Sequence, residues 1–210
     1  MKKYIMIFAL AMFALSTASF AGTTATGTNT VAPTLQISAT IQSAVQLTLS
    51  TGTVATAHCA VTAGGTTDYA MNFGTVDALG INAGACNKFA PTTPGTTNAI
   101  YWSDYTVTPI YTSQSVLGTG TTIKAQVTTD FPGAAHNILI VRDSANSPAV
   151  PAAAGSFTAM GTASADTIVT GAASGTAQTR YIGVAVTPAS GPTVLTGPQT
   201  ATVTFTLTVL

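Results

Sequence analysis

Residues 35–50 read LQISATIQSAVQLTLS, and this stretch decides the fold class. Apart from Ser43 and Ala44, its odd positions are apolar and its even positions carry Gln, Ser or Thr. Successive side chains of a strand point to opposite faces, so the pattern gives one apolar face and one polar face. Residues 200–209, TATVTFTLTV, repeat the alternation. The sequence therefore predicts β-strands near both ends of the chain.

The first of these stretches is longer than an ordinary strand. Fully extended it would measure roughly 50 Å, against ~17–20 Å for a typical strand. We expect residues 35–50 either to bend near Ser43 and Ala44 or to pack only in part within their own domain. An apolar-faced segment that does not pair within its own domain could add to the open sheet edge of a neighbouring copy. The candidate strand-exchange residues are Leu35, Ile37, Ala39 and Ile41.

Residues 1–21 have the composition of a signal peptide. Lys2 and Lys3 precede a short apolar run, and Ser19 and Ala21 supply the small residues that cleavage requires. The apolar run is too short to span a bilayer of ~30 Å. We therefore expect export through the periplasm to the cell surface or the extracellular medium.

The exported chain is predicted to form one domain behind a short leader. Residues 22–33 contain little to bury and are typical of a flexible segment. The rest of the chain, residues 34–210, is long enough for a single core. No later stretch of the sequence has the length and apolar character of a membrane span.

Charge is scarce after residue 21. The basic residues are Lys88, Lys124, Arg142 and Arg180; set against six Asp and no Glu, they leave a formal net charge of −2. Nucleic acid and anionic membrane surfaces are poor partners for such a chain. Thr makes up about a fifth of the sequence, which favours strands with an uncharged polar face. Because low charge favours self-association, the composition is typical of an assembling extracellular protein.

The remaining sequence predicts about ten short strands and no amphipathic helix. Gly and Pro residues punctuate these strands, which indicates an all-β, antiparallel β-sandwich. A loop containing two prolines is expected at residues 87–98. The predicted strands between the two alternating stretches are residues 57–62 and 69–73 as a hairpin, 99–111, 123–129, 137–142, 157–160, 167–170 and 179–187.

Cys59 and Cys86 are the two cysteines, and export favours a disulfide between them. Closing a loop of about 27 residues would stabilise the fold by roughly 3.5 kcal/mol. A metal site built from both thiols and His58 would lack a fourth ligand at a recognisable spacing. We expect a disulfide, with no metal and no cofactor.

Catalytic patterns are absent from the sequence. His58 and His136 are the only imidazoles, and the chain has no Gly-x-Ser-x-Gly motif. Without Glu and with Asp residues occurring singly, paired carboxylates of the glycosidase type have no support either. The expectation is a protein that is not an enzyme, with a small secreted hydrolase as the weakest alternative.

Four aromatic residues cluster in one predicted strand: Tyr101, Trp102, Tyr105 and Tyr111. They could form a stacking platform for a glycan, or they could fill the core of the sandwich. We favour the core and keep the glycan platform as the alternative.

The pattern Cys59-Ala60-Val61, Asn72-Phe73-Gly74-Thr75 and Cys86 resembles the secreted spore coat protein U type domain, which is shared with pilins of archaic chaperone–usher systems. The closing Thr-x-Thr strand, residues 202–209, is similar to the terminal strand of that family. The resemblance implies an incomplete immunoglobulin-like sandwich that a strand from a neighbouring subunit completes. It also implies a structural or adhesive function.

The expected function is therefore that of an exported structural subunit of a bacterial surface fibre, pilus or coat. Its partners would be further copies of itself or other surface subunits. The alternative is a monomeric secreted β-sandwich module that binds a carbohydrate or a surface.

Overall fold

The computed structural model of the chain describes residues 36–39, 44–84, 86–112, 121–131, 138–143, 149–186 and 197–209. The chain divides into two compact units, Met1–Ile41 and Gln42–Leu210. The predicted signal peptide and leader lie outside the described residues, as do Leu35, Ile41 and His136.

The described residues fold into antiparallel strands, which confirms the all-β prediction. One single-turn 3-10 helix, Ala154–Ser156, is the only helical element among them, and none of their helices is long and apolar enough to cross a membrane. The strands are β1 (Val45–Thr51), β2 (Val61–Ala63), β3 (Tyr69–Met71), β4 (Asn87–Phe89), β5 (Ala99–Tyr111), β6 (Thr122–Thr129), β7 (Ile138–Asp143), β8 (Phe157–Ala159), β9 (Asp166–Thr170), β10 (Gln178–Val186) and β11 (Thr202–Thr208).

These strands form two sheets and a hairpin. The larger sheet has the order β1-β5-β10-β7-β8, and β4 also pairs with β5. The smaller sheet has the order β11-β6-β9, and β2 pairs with β3 alone. The long strand β5 organises the larger sheet: β10 follows one of its edges, whereas β1 and β4 share the other.

A shared apolar core joins the two sheets. Buried residues of β5 in the larger sheet pack against buried residues of β6 and β9 in the smaller one. The chain between β8 and β9 closes one side of this core, because Met160 is buried in it and Gly161 O accepts a hydrogen bond of 3.0 Å from Val127 N–H. The arrangement fits a β-sandwich.

The opposite face of β5 is buried as well. Trp102 stacks on Phe89 of β4 with ring centroids 5.6 Å apart, and it contacts Phe157 at 6.2 Å and Tyr181 at 6.0 Å. Because both faces are covered, residues 99–105 are all buried instead of alternating between buried and exposed. A strand covered on both faces needs apolar or fully paired side chains at every position.

The prediction of a loop over the whole of residues 87–98 is wrong, whereas the prediction for the long first stretch is not contradicted. Residues 36–39 belong to no described strand and are exposed, and the described strand of that stretch is Val45–Thr51. The strand begins at Val45, where pairing with Tyr111 of β5 becomes available. Residues 87–89 form β4 instead of a loop, because they pair with β5. The hairpin and the strands from β5 to β11 are confirmed, with shifts of a few residues at their ends.

Candidate functional site

Among the described residues, β1 and β11 are edge strands of the two sheets, and we call the surface between them the β1/β11 seam. β1 is an edge of the larger sheet and β11 is an edge of the smaller one. Phe205 of β11 packs edge-on against Tyr105 of β5, the neighbour of β1, with ring centroids 5.9 Å apart. At the other side of the sandwich, Arg180 Nε of β10 donates to Ile168 O of β9 at 2.6 Å. The edge strands β1 and β11 therefore lie on the same side of the core.

Apolar side chains line the β1/β11 seam without being fully covered. They pack on the core between the sheets but are only partly buried: Leu47 and Leu49 of β1, and Val203, Phe205 and Leu207 of β11. Within the described part of the chain, β1 pairs with β5 alone and β11 with β6 alone. An edge strand with unpaired backbone groups is a template for a further strand.

The β2–β3 hairpin lies against one end of β1. Val61 N–H donates to Thr51 Oγ1 at the end of β1, at 2.8 Å, and both Val61 and Met71 contact the core between the sheets. Apolar groups therefore line the β1/β11 seam along β1 and β11, and the hairpin flanks the seam at the Thr51 end of β1.

Of the predicted strand-exchange residues, Ile37 and Ala39 are described. Both are exposed, and the side chain of Ile37 is 82% exposed. No described strand pairs with residues 36–39. Leu35 and Ile41 lie outside the described residues, and strand exchange stays a prediction.

A second constellation, which the sequence did not reveal, surrounds Asp104 of β5. One carboxylate oxygen of this buried residue accepts from Val54 N–H at 2.7 Å and from Ala55 N–H at 3.1 Å. The other oxygen shares a hydrogen bond of 2.6 Å with Nδ1 of His58. In addition, Asp104 O accepts from Gly52 N–H at 3.3 Å. One strand residue thus holds the whole segment from residue 52 to residue 58.

The hydrogen bonds keep the Asp104 carboxylate charged. Burial raises the pKa of Asp104, but the hydrogen bonds from Val54 N–H, His58 and Ala55 N–H outweigh burial, and the pKa lies below its ordinary value. A His paired with a buried carboxylate is also part of catalytic triads, where the second ring nitrogen activates a nucleophile. No described hydrogen bond connects His58 to a hydroxyl or thiol, so the contacts shown give Asp104 a role in holding the loop.

The predicted disulfide between Cys59 and Cys86 is present. Cys59 is almost fully buried, and its N–H donates to Ser103 Oγ at 2.9 Å. Asn87 binds the same segment twice, because its amide group donates to Ala57 O at 2.5 Å and accepts from Ala57 N–H at 3.3 Å. These side-chain contacts hold residues 57 and 59, which lie before β2 begins at Val61.

Three of the four aromatic residues, Tyr101, Trp102 and Tyr105, belong to the core, as the favoured interpretation predicted. Tyr101, Trp102 and Tyr105 are at most 5% exposed, so they offer no ring face to a glycan, and burial raises the pKa of Tyr105. Tyr111 is half-buried, and its hydroxyl donates to Ala172 O at 3.0 Å. The indole Nε1 of Trp102 is buried and has no hydrogen-bond partner among the described residues.

His58 also lines a groove of ≈ 350 Å³ next to the β2–β3 hairpin, together with Met71 and Asn72. Within the described ranges, no three His, Cys, Asp or Glu side chains lie close enough together to hold a metal ion. The groove therefore presents one oriented imidazole in otherwise uncharged surroundings.

Comparison with known proteins found no match: no family model, no curated protein and no solved structure is similar to this chain.

Proposed function

We propose that the chain is an exported structural subunit of a surface fibre, pilus or coat, completed by a strand from a neighbouring copy. The observation that carries the proposal is the β1/β11 seam. Two sheet edges on the same side of one core carry partly buried apolar side chains, and neither edge has a second strand partner within the described residues. Such a seam is stabilised when an added strand covers the apolar groups and pairs with the backbone.

The same chain offers a segment that fits the seam. Residues 35–41 alternate apolar and polar side chains over seven residues, and β1 and β11 are also seven residues long. The high exposure of Ile37 supports a segment available for pairing with another copy. Because the contact joins different surfaces of two copies, repetition produces an open fibre and not a closed dimer.

Within the proposal, the sandwich is of the immunoglobulin type. Two antiparallel sheets share one core, and the chain crosses repeatedly from one sheet to the other, for example between β5 and β6 and between β9 and β10. Changes of sheet of this kind are typical of Greek-key sandwiches. We further infer that the protein is not an enzyme, since the only described His–carboxylate pair serves to hold a loop.

The decisive experiment compares the chain from Gly22 onward with a form that lacks residues 22–42. Size-exclusion chromatography with light scattering should show concentration-dependent polymers for the first and monomers for the second. A synthetic peptide of residues 31–42 should bind the truncated form, whereas the same peptide with Ile37→Asp should not. Circular dichroism checks that the truncated form retains its strands.

A chain from Gly22 onward that stays monomeric at high concentration would rule out strand exchange. Polymers that persist after removal of residues 22–42 would assign assembly to another surface of the molecule.

A further inference from the structure

The groove of ≈ 350 Å³ beside the β2–β3 hairpin, which we call the hairpin groove, contains two side chains that the proposed function does not use. His58 and Met71 both line it. An imidazole nitrogen and a thioether sulfur in one recess are ligands that suit a soft metal ion. The surroundings of each side chain show which of its atoms is available as a ligand.

Asp104 determines which nitrogen of His58 is available. A charged carboxylate only accepts hydrogen bonds, so Nδ1 of His58 carries the proton in its 2.6 Å bond to Asp104. In the neutral imidazole the lone pair then lies on Nε2. Among the described residues none forms a hydrogen bond with Nε2, and the His58 side chain is 30% exposed although Asp104 is fully buried. The nitrogen that faces away from the carboxylate is therefore free to act as a ligand.

A carboxylate behind an imidazole is typical of metal-binding histidines. Such histidines usually donate the other ring N–H to a carboxylate or a carbonyl, which fixes the ring and makes the ligating nitrogen more basic. Asp104 is itself held by Val54 N–H at 2.7 Å and Ala55 N–H at 3.1 Å. The orientation of the His58 ring is therefore set before any ion binds.

Met71 enters the hairpin groove from the hairpin. It is the last residue of β3, pairs with Val61 of β2, and is partly buried against the core. Its side chain is unbranched and has three rotatable bonds, so the sulfur can turn toward an ion without movement of the backbone. The pairing of β2 with β3 thus brings a soft ligand into the groove that His58 lines.

The other side-chain groups of the hairpin groove are engaged elsewhere. The sulfur of Cys59 is part of the disulfide, and Asn72 Oδ1 accepts from Gly74 N–H at 2.8 Å. The hydroxyl of Thr62 donates to Ala70 O at 3.4 Å. The groove has no carboxylate in its lining. The side-chain ligands that remain are one imidazole nitrogen and one thioether sulfur, both uncharged.

This ligand set discriminates between metal ions. Ca²⁺ and Mg²⁺ take oxygen ligands, and the groove offers no carboxylate to them. Zn²⁺ needs a larger set of nitrogen, sulfur and oxygen ligands than the groove provides. Thioether sulfur selects Cu(I), and imidazole is compatible with copper. The arrangement therefore favours a soft, monovalent ion.

We propose that Nε2 of His58 and Sδ of Met71 bind Cu(I) in the hairpin groove. One ligand comes from the segment that Asp104 holds and the other from the hairpin, so the ion also ties these two parts of the molecule together. Sequence reasoning paired His58 with two thiols that the disulfide occupies, and no local spacing indicated Met71. The site uses no apolar residue of the β1/β11 seam and does not depend on strand addition.

The test titrates the chain from Gly22 onward with Ag(I), which shares the soft ligand preference of Cu(I) and needs no reductant, so the disulfide stays intact. An Ile37→Asp background prevents polymers from complicating the measurement. In nitrate buffer, isothermal titration calorimetry should show a single Ag(I) site per chain. Titration with Ca²⁺ should release no heat of binding.

The sequence supplies a matched control for each ligand. After residue 21 the chain has two methionines, Met71 and Met160, and two histidines, His58 and His136. Met71→Leu removes the sulfur with little change in volume, and His58→Gln removes the imidazole but keeps an amide that can donate to Asp104. Each should weaken Ag(I) binding by about tenfold or more, because losing even an outer partner of a metal ligand costs that much. Met160→Leu and His136→Gln should bind Ag(I) as the parent chain does.

A chain labelled with [methyl-¹³C]methionine gives a readout that does not depend on affinity. The spectrum should contain two methyl signals, which the two Leu variants assign. Ag(I) should shift the signal of Met71 and leave that of Met160, a buried core residue, unchanged. An unchanged Met160 signal in His58→Gln also shows that this variant keeps the core. Cu(I), generated with ascorbate under argon and competed against a chromophoric chelator, should rank the variants in the same order.

Any of four results would overturn the proposal: no Ag(I) site, binding that survives Met71→Leu or His58→Gln, binding that His136→Gln removes, or a shift of the Met160 signal alone. The second and third results would assign the ion to other ligands of the chain. The fourth would place it outside the hairpin groove.

Discussion

Asp104 fixes the conformation of residues 52–58, the segment before Cys59, by hydrogen bonds instead of strand pairing. The segment from residue 52 to residue 58 makes its described hydrogen bonds mainly to this one buried residue, whose two carboxylate oxygens and carbonyl are all used. Buried polar networks of this kind stabilise a fold only when every member has a partner. We therefore expect the segment to be sensitive to single substitutions that would be harmless in an ordinary surface loop.

Replacing the carboxylate tests this dependence directly. Asp104→Ala leaves the N–H groups of Val54 and Ala55 without their acceptor, so the free energy of unfolding should fall by about 3 kcal/mol near neutral pH. Urea denaturation measures the loss, and Asp68→Ala at an exposed position serves as the control. A similar loss in both variants would mean that the cluster contributes nothing of its own.

The same comparison has a defined pH dependence. Because the folded pKa of Asp104 lies below its ordinary value of about 3.9, the stabilisation by its carboxylate is fully present above that value. It is lost as the pH falls through the folded pKa. The difference between the native chain and Asp104→Ala should therefore be constant from neutral pH down to about 5 and should shrink below about 4.

Gly52 tests how closely the segment approaches Asp104. A Cβ at this position would lie 2.2 Å from Cγ of Asp104, and the atoms it meets belong to a side chain fixed by three hydrogen bonds and to the strand backbone. Gly52→Ala should cost about 3 kcal/mol through overpacking. Gly65→Ala, where a Cβ meets nothing within 4 Å, should change stability by about 0.5 kcal/mol or less. Equal denaturation midpoints for the two variants would contradict the close approach.

At the scale of the strands, alternation in the sequence was a reliable guide wherever one face is buried. Residues 200–209 alternate in the sequence, and in β11 Val203, Phe205 and Leu207 contact the core as predicted. Residues 36–39 also alternate but pair with no described strand, since alternation indicates the capacity to pair but does not supply a partner. β4 was missed because its three residues include Lys88 and have no periodicity; its pairing with β5 is a tertiary effect.

The Asp104 cluster was missed for a different physical reason. Asp104 contacts residues that lie 46 to 50 positions earlier in the sequence, and no local spacing indicates such contacts. A charged residue inside the aromatic stretch YWSDY, where apolar residues are expected, was the signal that could have found it. The disulfide was easier to predict, because two cysteines in a chain that is expected to be exported leave one pairing within the molecule.

The two faces of β11 should respond differently to substitution. Phe205→Ala removes a ring that packs on Tyr105, and because Phe205 is only partly buried we expect a loss of about 3 kcal/mol, at the low end for such a change. Thr204→Ala removes an exposed hydroxyl, 3.0 Å from Thr128 Oγ1, and should cost about 0.5 kcal/mol. Guanidinium denaturation of both variants checks the assignment, which comparable midpoints would refute.

At the scale of the whole molecule, the β1/β11 seam is the surface that we propose for contacts between copies. Charges are few over the whole chain, and this composition leaves hydrogen bonding and apolar burial as the main sources of specificity.

If a neighbouring strand completes the sandwich, stability must depend on concentration. A contact that exists only in the folded, assembled state stabilises that state by mass action. The urea midpoint of the chain from Gly22 onward should therefore rise with protein concentration, by up to about 1.4 kcal/mol in free energy for each tenfold increase.

Two variants serve as controls. The form lacking residues 22–42 has no donor segment, and Ile37→Asp places a charge on the apolar face of that segment. The part of the rise that is due to strand addition should vanish in both variants. A midpoint that does not change with concentration in the chain from Gly22 onward would show that the sandwich is already complete within one copy.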